Sequence, residues 1–374
     1  MGRSALEEEI VRAIASSPEG YITFRDFMAK ALYDKDGYYQ KEQPKVGKQG
    51  DFYTSSSVHP IFGAMLAQTL GRMVDSMAGE EPRRIVEMGG GTGRLTQHIL
   101  QAFISEGRDL SGVEYFMIEA SDYHRRIQQK NLAAFSDAVE IHWFSSLAEV
   151  KQRIPQLTGV LFSNELPDSF PVHLVQRNKG SWHEIGVSYQ DGSFIERLVP
   201  VSSPLLLEYC QHEKIPLADG YRAEVNLESI KWMREAAEWI SDGFCMTIDY
   251  GYTRDILYDP SRREGTLLCY RDHKISSNPY EFVGEKDITS HVNFSALMDA
   301  GERSGLATLY YATQREFLLK EGILNRLQEH QGGDPFRNEA ARLNRAILQL
   351  ISPGGMGDTF RVLIQGKNVS SSTI

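Results

Sequence analysis

The sequence predicts an α/β protein built on a parallel, doubly wound sheet, and three observations carry that prediction. Short apolar runs alternate with helical patterns from about residue 58 onward, the order that lays helices on a parallel sheet. One run, Arg84-Ile85-Val86-Glu87-Met88, ends in an acid and a methionine and passes through Gly89-Gly90-Gly91-Thr92-Gly93 into a helix striped by Leu95, Ile99, Leu100 and Phe103. A second run, Tyr115-Phe116-Met117-Ile118, delivers another acid, Glu119, ahead of a polar helix start at Ser121-Asp122.

Taken in order, Leu6 to Ala15 and Phe24 to Leu32 read as helices, and a Gly- and Lys-rich loop follows to Gly50. A helix is expected over 58–77, and strands over 84–88, 115–119, 139–143, 159–164 and 244–250. Residues 172–199 read as an antiparallel meander whose turns are Asn178-Lys179-Gly180 and Asp191-Gly192. A helical stretch near 225–240 returns the chain to the sheet, a long helical region runs from about 315 to 351, and Phe360 to Ile364 form a late strand. The expected organisation is therefore an N-terminal helical cap over 1–80, the first half of the sheet domain over 81–165, an inserted meander and helical subdomain over 166–230, and the second half with additional helices over 231–374.

Composition excludes several functions. The 374 residues, 41% of them hydrophobic, suffice for a large core. A net charge of −10 opposes binding to a nucleic-acid backbone, which needs a basic stripe. Cys210, Cys245 and Cys269 are too widely spaced for a zinc or redox motif, so no metal site is expected, and an odd count reads as a reducing compartment. No run of about 18 apolar residues offers membrane insertion. The acidic, amphipathic Leu6-Glu7-Glu8-Glu9-Ile10 resembles neither a secretory signal nor a presequence, which leads to the expectation of a chain that is cytoplasmic, or already processed.

The glycine spacing narrows the ligand. A dinucleotide turn needs a glycine where Arg94 stands, whereas Glu87-x-Gly89-x-Gly91-x-Gly93 has the form of the first motif of class I S-adenosylmethionine (SAM) methyltransferases. Read alone, the turn leaves SAM, NAD and a ligand-free structural role open. Glu119 is placed to accept hydrogen bonds from ribose hydroxyls, the alternative being a favourable charge near a helix N-terminus. The fourth strand ends in Asn164-Glu165-Leu166-Pro167-Asp168, polar groups at the carboxyl edge of the sheet beside the glycine turn. Glu165 and Asp168 suit a cationic acceptor such as a guanidinium, which carboxylates grip bidentately; a capped turn with Asp168 in solvent is the bland alternative. Asp249 and Tyr250 end another strand at that edge, lining an acceptor pocket or serving the fold as a buried pair.

Six ordered motifs extend the pattern over nearly the whole chain: Gly50-Asp51-Phe52-Tyr53-Thr54-Ser55 with Phe62-Gly63, the glycine turn, Asn164-Glu165-x-x-Asp168-x-x-Pro171-Val172, Ile248-Asp249-Tyr250-Gly251-Tyr252, Asp287-Ile288-Thr289-x-His291-Val292-x-Phe294, and Met356-Gly357. Together they resemble the MidA-like SAM-dependent methyltransferases, whose mitochondrial members are complex I assembly factors that methylate an arginine. The resemblance implies a class I SAM methyltransferase fold, Rossmann-like with a mostly parallel seven-stranded sheet, an N-terminal helical cap and an inserted α+β subdomain. It implies SAM as cofactor and S-adenosylhomocysteine as product, held by Glu87, Gly89, Gly91, Gly93, Glu119 and Asn164. Asp51, Thr54 and Ser55 would lie near the methionine end, on a segment that covers the cofactor. Glu165, Asp168, Asp249 and Tyr250 would serve catalysis on a protein substrate presenting an arginine. A SAM-binding scaffold and a small-molecule N- or O-methyltransferase stand as alternatives, and a homodimer is left open. Met88, Gly90 and Pro167 depart from the family pattern, and because Pro167 restricts Leu166 to extended conformations the departures affect acceptor geometry more than SAM binding.

Overall fold

The computed structural model describes residues 3–42, 59–77, 82–330 and 338–374. The chain divides into two compact units, a sheet unit of 53–166, 233–250 and 298–374 and a meander unit of 1–52, 167–232 and 251–297.

In the sheet unit the strands are β1 (Arg83–Met88), β2 (Val113–Ile118), β3 (Glu140–Phe144), β4 (Leu157–Asn164), β5 (Ile240–Tyr252), β6 (Ala307–Thr313) and β7 (Phe360–Lys367). Among the described residues they lie on one path, β6-β7-β5-β4-β1-β2-β3. From β3 to β5 the neighbours are parallel, whereas β7 runs antiparallel to both β5 and β6, so the sheet is mixed. Both faces are apolar, as a parallel sheet between helices requires: Ile85, Tyr115, Val160 and Phe244 are buried on one side, Val86, Phe116, Leu161 and Cys245 on the other. Helices Ile61–Ser76, Arg94–Ser105 and Glu339–Ile351 pack on the first face in one apolar cluster. On the second, the Arg153 guanidinium of helix Leu147–Arg153 lies 6.0 Å from the Phe116 ring. Helix Leu227–Trp239 is tied there as well, with Trp239 Nε1 donating to the Ile154 carbonyl at 2.7 Å.

The α/β class matches the sequence expectation, and two details differ. Strand β6 was not anticipated; its residues are at most partly buried at the sheet edge and show no clean apolar alternation. The long helical region expected over 315–351 is divided: helix Gln314–Lys320 stops before Gly322, whose φ of 80° leaves the helical region, and helix Glu339–Ile351 forms separately.

In the meander unit, helices Ala5–Ser16 and Phe24–Tyr33 contribute Leu6, Ile10 and Phe27 to a core shared with Leu174, Ile185 and Val187 of an antiparallel sheet. Its hairpins turn at Lys179-Gly180 and Asp191-Gly192, all four residues at positive φ between 50° and 84°, the backbone that two-residue hairpins demand. A second small sheet, Leu268–Arg271, Lys274–Ser276 and Asp287–Thr289, was not foreseen, because its tight turn is made by Asp272 and His273 at φ 50° and 59° with no glycine to mark it.

Candidate functional site

The glycine turn between β1 and the following helix supplies the site's backbone. Gly89, Gly91 and Gly93 have φ of 77°, 51° and 74°, conformations that L-residues resist. Cβ atoms at Gly89, Gly90 and Gly93 would meet Leu166 Cδ1 at 2.9 Å, Met117 Cε at 2.7 Å and Gln128 Cγ at 3.1 Å. A Cβ at Gly91 would meet no described atom within 4 Å, so there the turn opens outward. Two side chains of the next helix brace it from behind: Gln128 Nε2 donates to the Gly91 carbonyl at 2.8 Å and Asn131 Nδ2 to the Thr92 carbonyl at 2.9 Å. Sequence reasoning missed both, because a polar residue on a helix face carries no mark of the turn it will support.

The two acids that end consecutive strands occupy different environments. Glu87 is 2% exposed and points into the fold, where Tyr115 donates to its Oε2 at 2.8 Å and Thr96 Oγ1 donates to the same atom. Burial raises its carboxyl to about 6, with those hydrogen bonds opposing the rise. Glu119 stands beside the turn. Its Oε2 accepts from the Gly91 amide at 3.1 Å and its Oε1 from the Ser121 amide at 3.0 Å, so the second strand's acid and the turn's middle glycine are hydrogen-bonded. Burial raises Glu119 to about 7, against the pull of the two amides.

At the end of β4, Asn164 Nδ2 donates to Glu165 Oε1 at 2.9 Å, while the buried Asn164 Oδ1 has no partner among the described residues. Glu165 adopts φ 55°, a left-handed backbone unusual for a non-glycine residue, held by its amide donating to the Ile248 carbonyl at 2.9 Å. Asp249 is fully buried and accepts from the Tyr250 amide at 2.8 Å; the Tyr250 ring sits 5.6 Å from Phe360, edge-on. These residues share the sheet unit with the glycine turn and Glu119. Asp168 belongs to the meander unit, on the short turn Pro167–Ser169, and is buried rather than in solvent; its carbonyl accepts from the Ser290 amide at 3.0 Å. Asp51, Thr54 and Ser55 lie outside the described residues.

An open left-handed glycine turn at the carboxyl edge of parallel strands, with a carboxylate at the end of the next strand, is the arrangement with which Rossmann-like α/β proteins hold nucleoside ligands. A model of a family of S-adenosyl-L-methionine-dependent methyltransferases matches residues 65–312, and the chain belongs to that family: it is a SAM-dependent methyltransferase. Its structure is similar to a protein from Burkholderia thailandensis crystallised with S-adenosyl-homocysteine, at 30% identity and a TM-score of 0.87 over 98% of this chain and 92% of that one. Among curated proteins it is similar to "Protein arginine methyltransferase NDUFAF7, mitochondrial" of Danio rerio, 26% identical over 96% of this chain and 87% of the relative. A homologue so named in Drosophila melanogaster is 23% identical over 97% and 85%. Those names correct the cytoplasmic expectation: both relatives are labelled mitochondrial, and the character of the first residues does not outweigh that label.

The residues present fit SAM. The open face of Gly91 is a cradle that any side chain would fill, and Asn164 Oδ1 is a buried acceptor awaiting a donor. Glu119 keeps lone pairs beyond the two spent on amides, enough for ribose hydroxyls.

Proposed function

We propose that the chain transfers a methyl group from SAM to an arginine nitrogen of a protein substrate. The observation that carries the reading is the Gly91–Glu119 pair, a left-handed glycine whose Cβ would meet no described atom within 4 Å, hydrogen-bonded to a carboxylate. The arginine acceptor is supported by the relatives' name, protein arginine methyltransferase. The seven-strand path is read as the class I methyltransferase sheet.

In this reading Gly89, Gly91 and Gly93 admit the cofactor to the main chain, Glu119 accepts from its ribose, and Asn164 offers Oδ1 to its amino-acid end. Glu87 acts one layer below, fixing the helix and strand around the turn through Thr96 and Tyr115. When bound, SAM supplies an electrophilic sulfonium methyl, and in-line displacement asks the protein chiefly for aim and exclusion of water. Glu165 and Asp168 orient the guanidinium and accept the proton it gives up as its nitrogen bonds to carbon; Asp249 and Tyr250 line the acceptor side. Arginine stays cationic after methylation, so the same carboxylates hold the product.

The test is to incubate the purified protein with methyl-tritiated SAM and protein extract from a host strain lacking the chain, then hydrolyse and separate the labelled amino acids. Label in methylarginine is expected. Label confined to methyl-lysine or to small molecules would overturn the arginine assignment.

A further inference from the structure

The motif Asp287-Ile288-Thr289 has no part in the reading above, yet the meander unit builds a polar enclosure around it. On the short strand Asp287–Thr289, Ile288 joins the apolar core, so Asp287 and Thr289 project together to the opposite face by the two-residue period of a strand. Both are buried, at 2% and 3% exposure. Tyr39 donates its hydroxyl to Asp287 Oδ1 at 2.8 Å, and its ring stacks at 5.3 Å on Tyr33. Tyr33 in turn donates to the Ser169 carbonyl at 2.9 Å, and the Ser290 amide donates to the Asp168 carbonyl at 3.0 Å. These bonds bring the turn carrying Asp168 against the same strand. The Tyr39 hydroxyl is held well above its ordinary value, by burial first and then by Asp287, with Tyr33 and Asp168 adding to it.

The enclosure is rich in acceptors. Thr289 Oγ1, on the face shared with Asp287, is buried with no hydrogen-bond partner among the described residues. A buried hydroxyl in that state calls for a partner that the described residues do not supply, and a ligand donor would meet the need. Lys286, the nearest cation in sequence, turns away and donates to the Asn278 carbonyl at 2.5 Å. Two carboxylates, an unpartnered hydroxyl and stacked tyrosine faces match a planar cation with several N–H donors better than a point-like ammonium.

We propose that Asp287 and Thr289, with Asp168, form the subsite that receives the guanidinium of the substrate arginine, an inference that rests on the arginine reading above. The test is calorimetric titration of Nα-acetyl-L-arginine methylamide into the full chain saturated with S-adenosylhomocysteine. Asp287→Asn is expected to weaken the probe at least tenfold and Thr289→Val about threefold, with S-adenosylhomocysteine affinity unchanged in both. Thr289→Val keeps shape and forfeits no hydrogen bond among the described residues, so it reports on the ligand even if Asp287→Asn folds poorly. Wild-type affinity for the probe in Thr289→Val, or in a folded Asp287→Asn, would overturn the subsite and leave the arginine reading intact. A wild-type chain that binds S-adenosylhomocysteine and Nα-acetyl-L-lysine methylamide, but not the arginine probe, would overturn both.

Discussion

The carboxylate of Glu119 and the amide of Gly91, 28 residues apart in sequence, are hydrogen-bonded at 3.1 Å. The bond ties the end of the second strand to the turn after the first, and it places the acid beside the glycine of that turn at which a Cβ would meet no described atom within 4 Å.

Gly91→Val is expected to abolish binding of SAM and S-adenosylhomocysteine while the chain stays folded. At φ 51° a β-branched residue costs about 1–3 kcal/mol. No described atom would clash with it, so the larger loss falls on the ligand. Calorimetry alongside thermal unfolding separates the two, and retained affinity would mean that the cofactor does not approach this backbone.

Cofactor affinity should depend on pH through Glu119. Its carboxyl titrates at about 7 in the free protein, and the ionised form is the better acceptor for hydroxyl donors. S-adenosylhomocysteine should therefore bind more weakly as pH falls below 7, by up to about tenfold per unit. Glu119→Gln should bind weakly at all pH values with that dependence gone. A wild-type profile flat from pH 5.5 to 8 would remove Glu119 from the cofactor.

Stability of the free protein should run the other way. Glu87 and Glu119 hold protons in the folded state up to about 6 and 7, against 4.5 for a glutamate in water. Between pH 4.5 and 7 the folded chain binds more protons than the unfolded one at these two sites, so their contribution falls as pH rises through that window. Denaturant melts of Glu87→Gln should show a shallower decline than wild type, and an unchanged slope would count against burial of the Glu87 charge.

Glu165 separates stability from turnover. Its left-handed backbone costs roughly 1–2 kcal/mol in a non-glycine residue. Glu165→Gly should raise the unfolding midpoint and slow methyl transfer, and Glu165→Gln should slow transfer with S-adenosylhomocysteine affinity unaltered. Unimpaired turnover in the glutamine variant would sink the acceptor role.

Tyr115→Phe should cost about 1–2 kcal/mol, because it leaves the buried Glu87 carboxylate one donor short. Its effect on S-adenosylhomocysteine affinity should be modest, since Tyr115 supports the turn from below. A loss of binding larger than the loss of stability would place this pair in contact with the ligand.

Local chemistry carried much of the fold into the sequence. Apolar runs marked β1, β2 and β4 because strands buried on both faces must be apolar throughout, and Asn178-Lys179-Gly180 marked a hairpin because its backbone demands positive φ. The edge strand β6 and the turn at Asp272-His273 stayed hidden, one for want of burial and the other for want of glycine. In the site, the sequence by itself determined the glycine turn, the acids ending two strands and the polar end of the fourth, since each depends on neighbours along the chain. Only tertiary structure decided that Glu87 turns inward to Thr96 and Tyr115 while Glu119 reaches back to Gly91, and that Gln128 braces the turn. It likewise decided that Tyr39 meets Asp287 across 248 residues. Hydrogen bonds of that range are set by which strands and helices pack together, and no spacing along the chain encodes them.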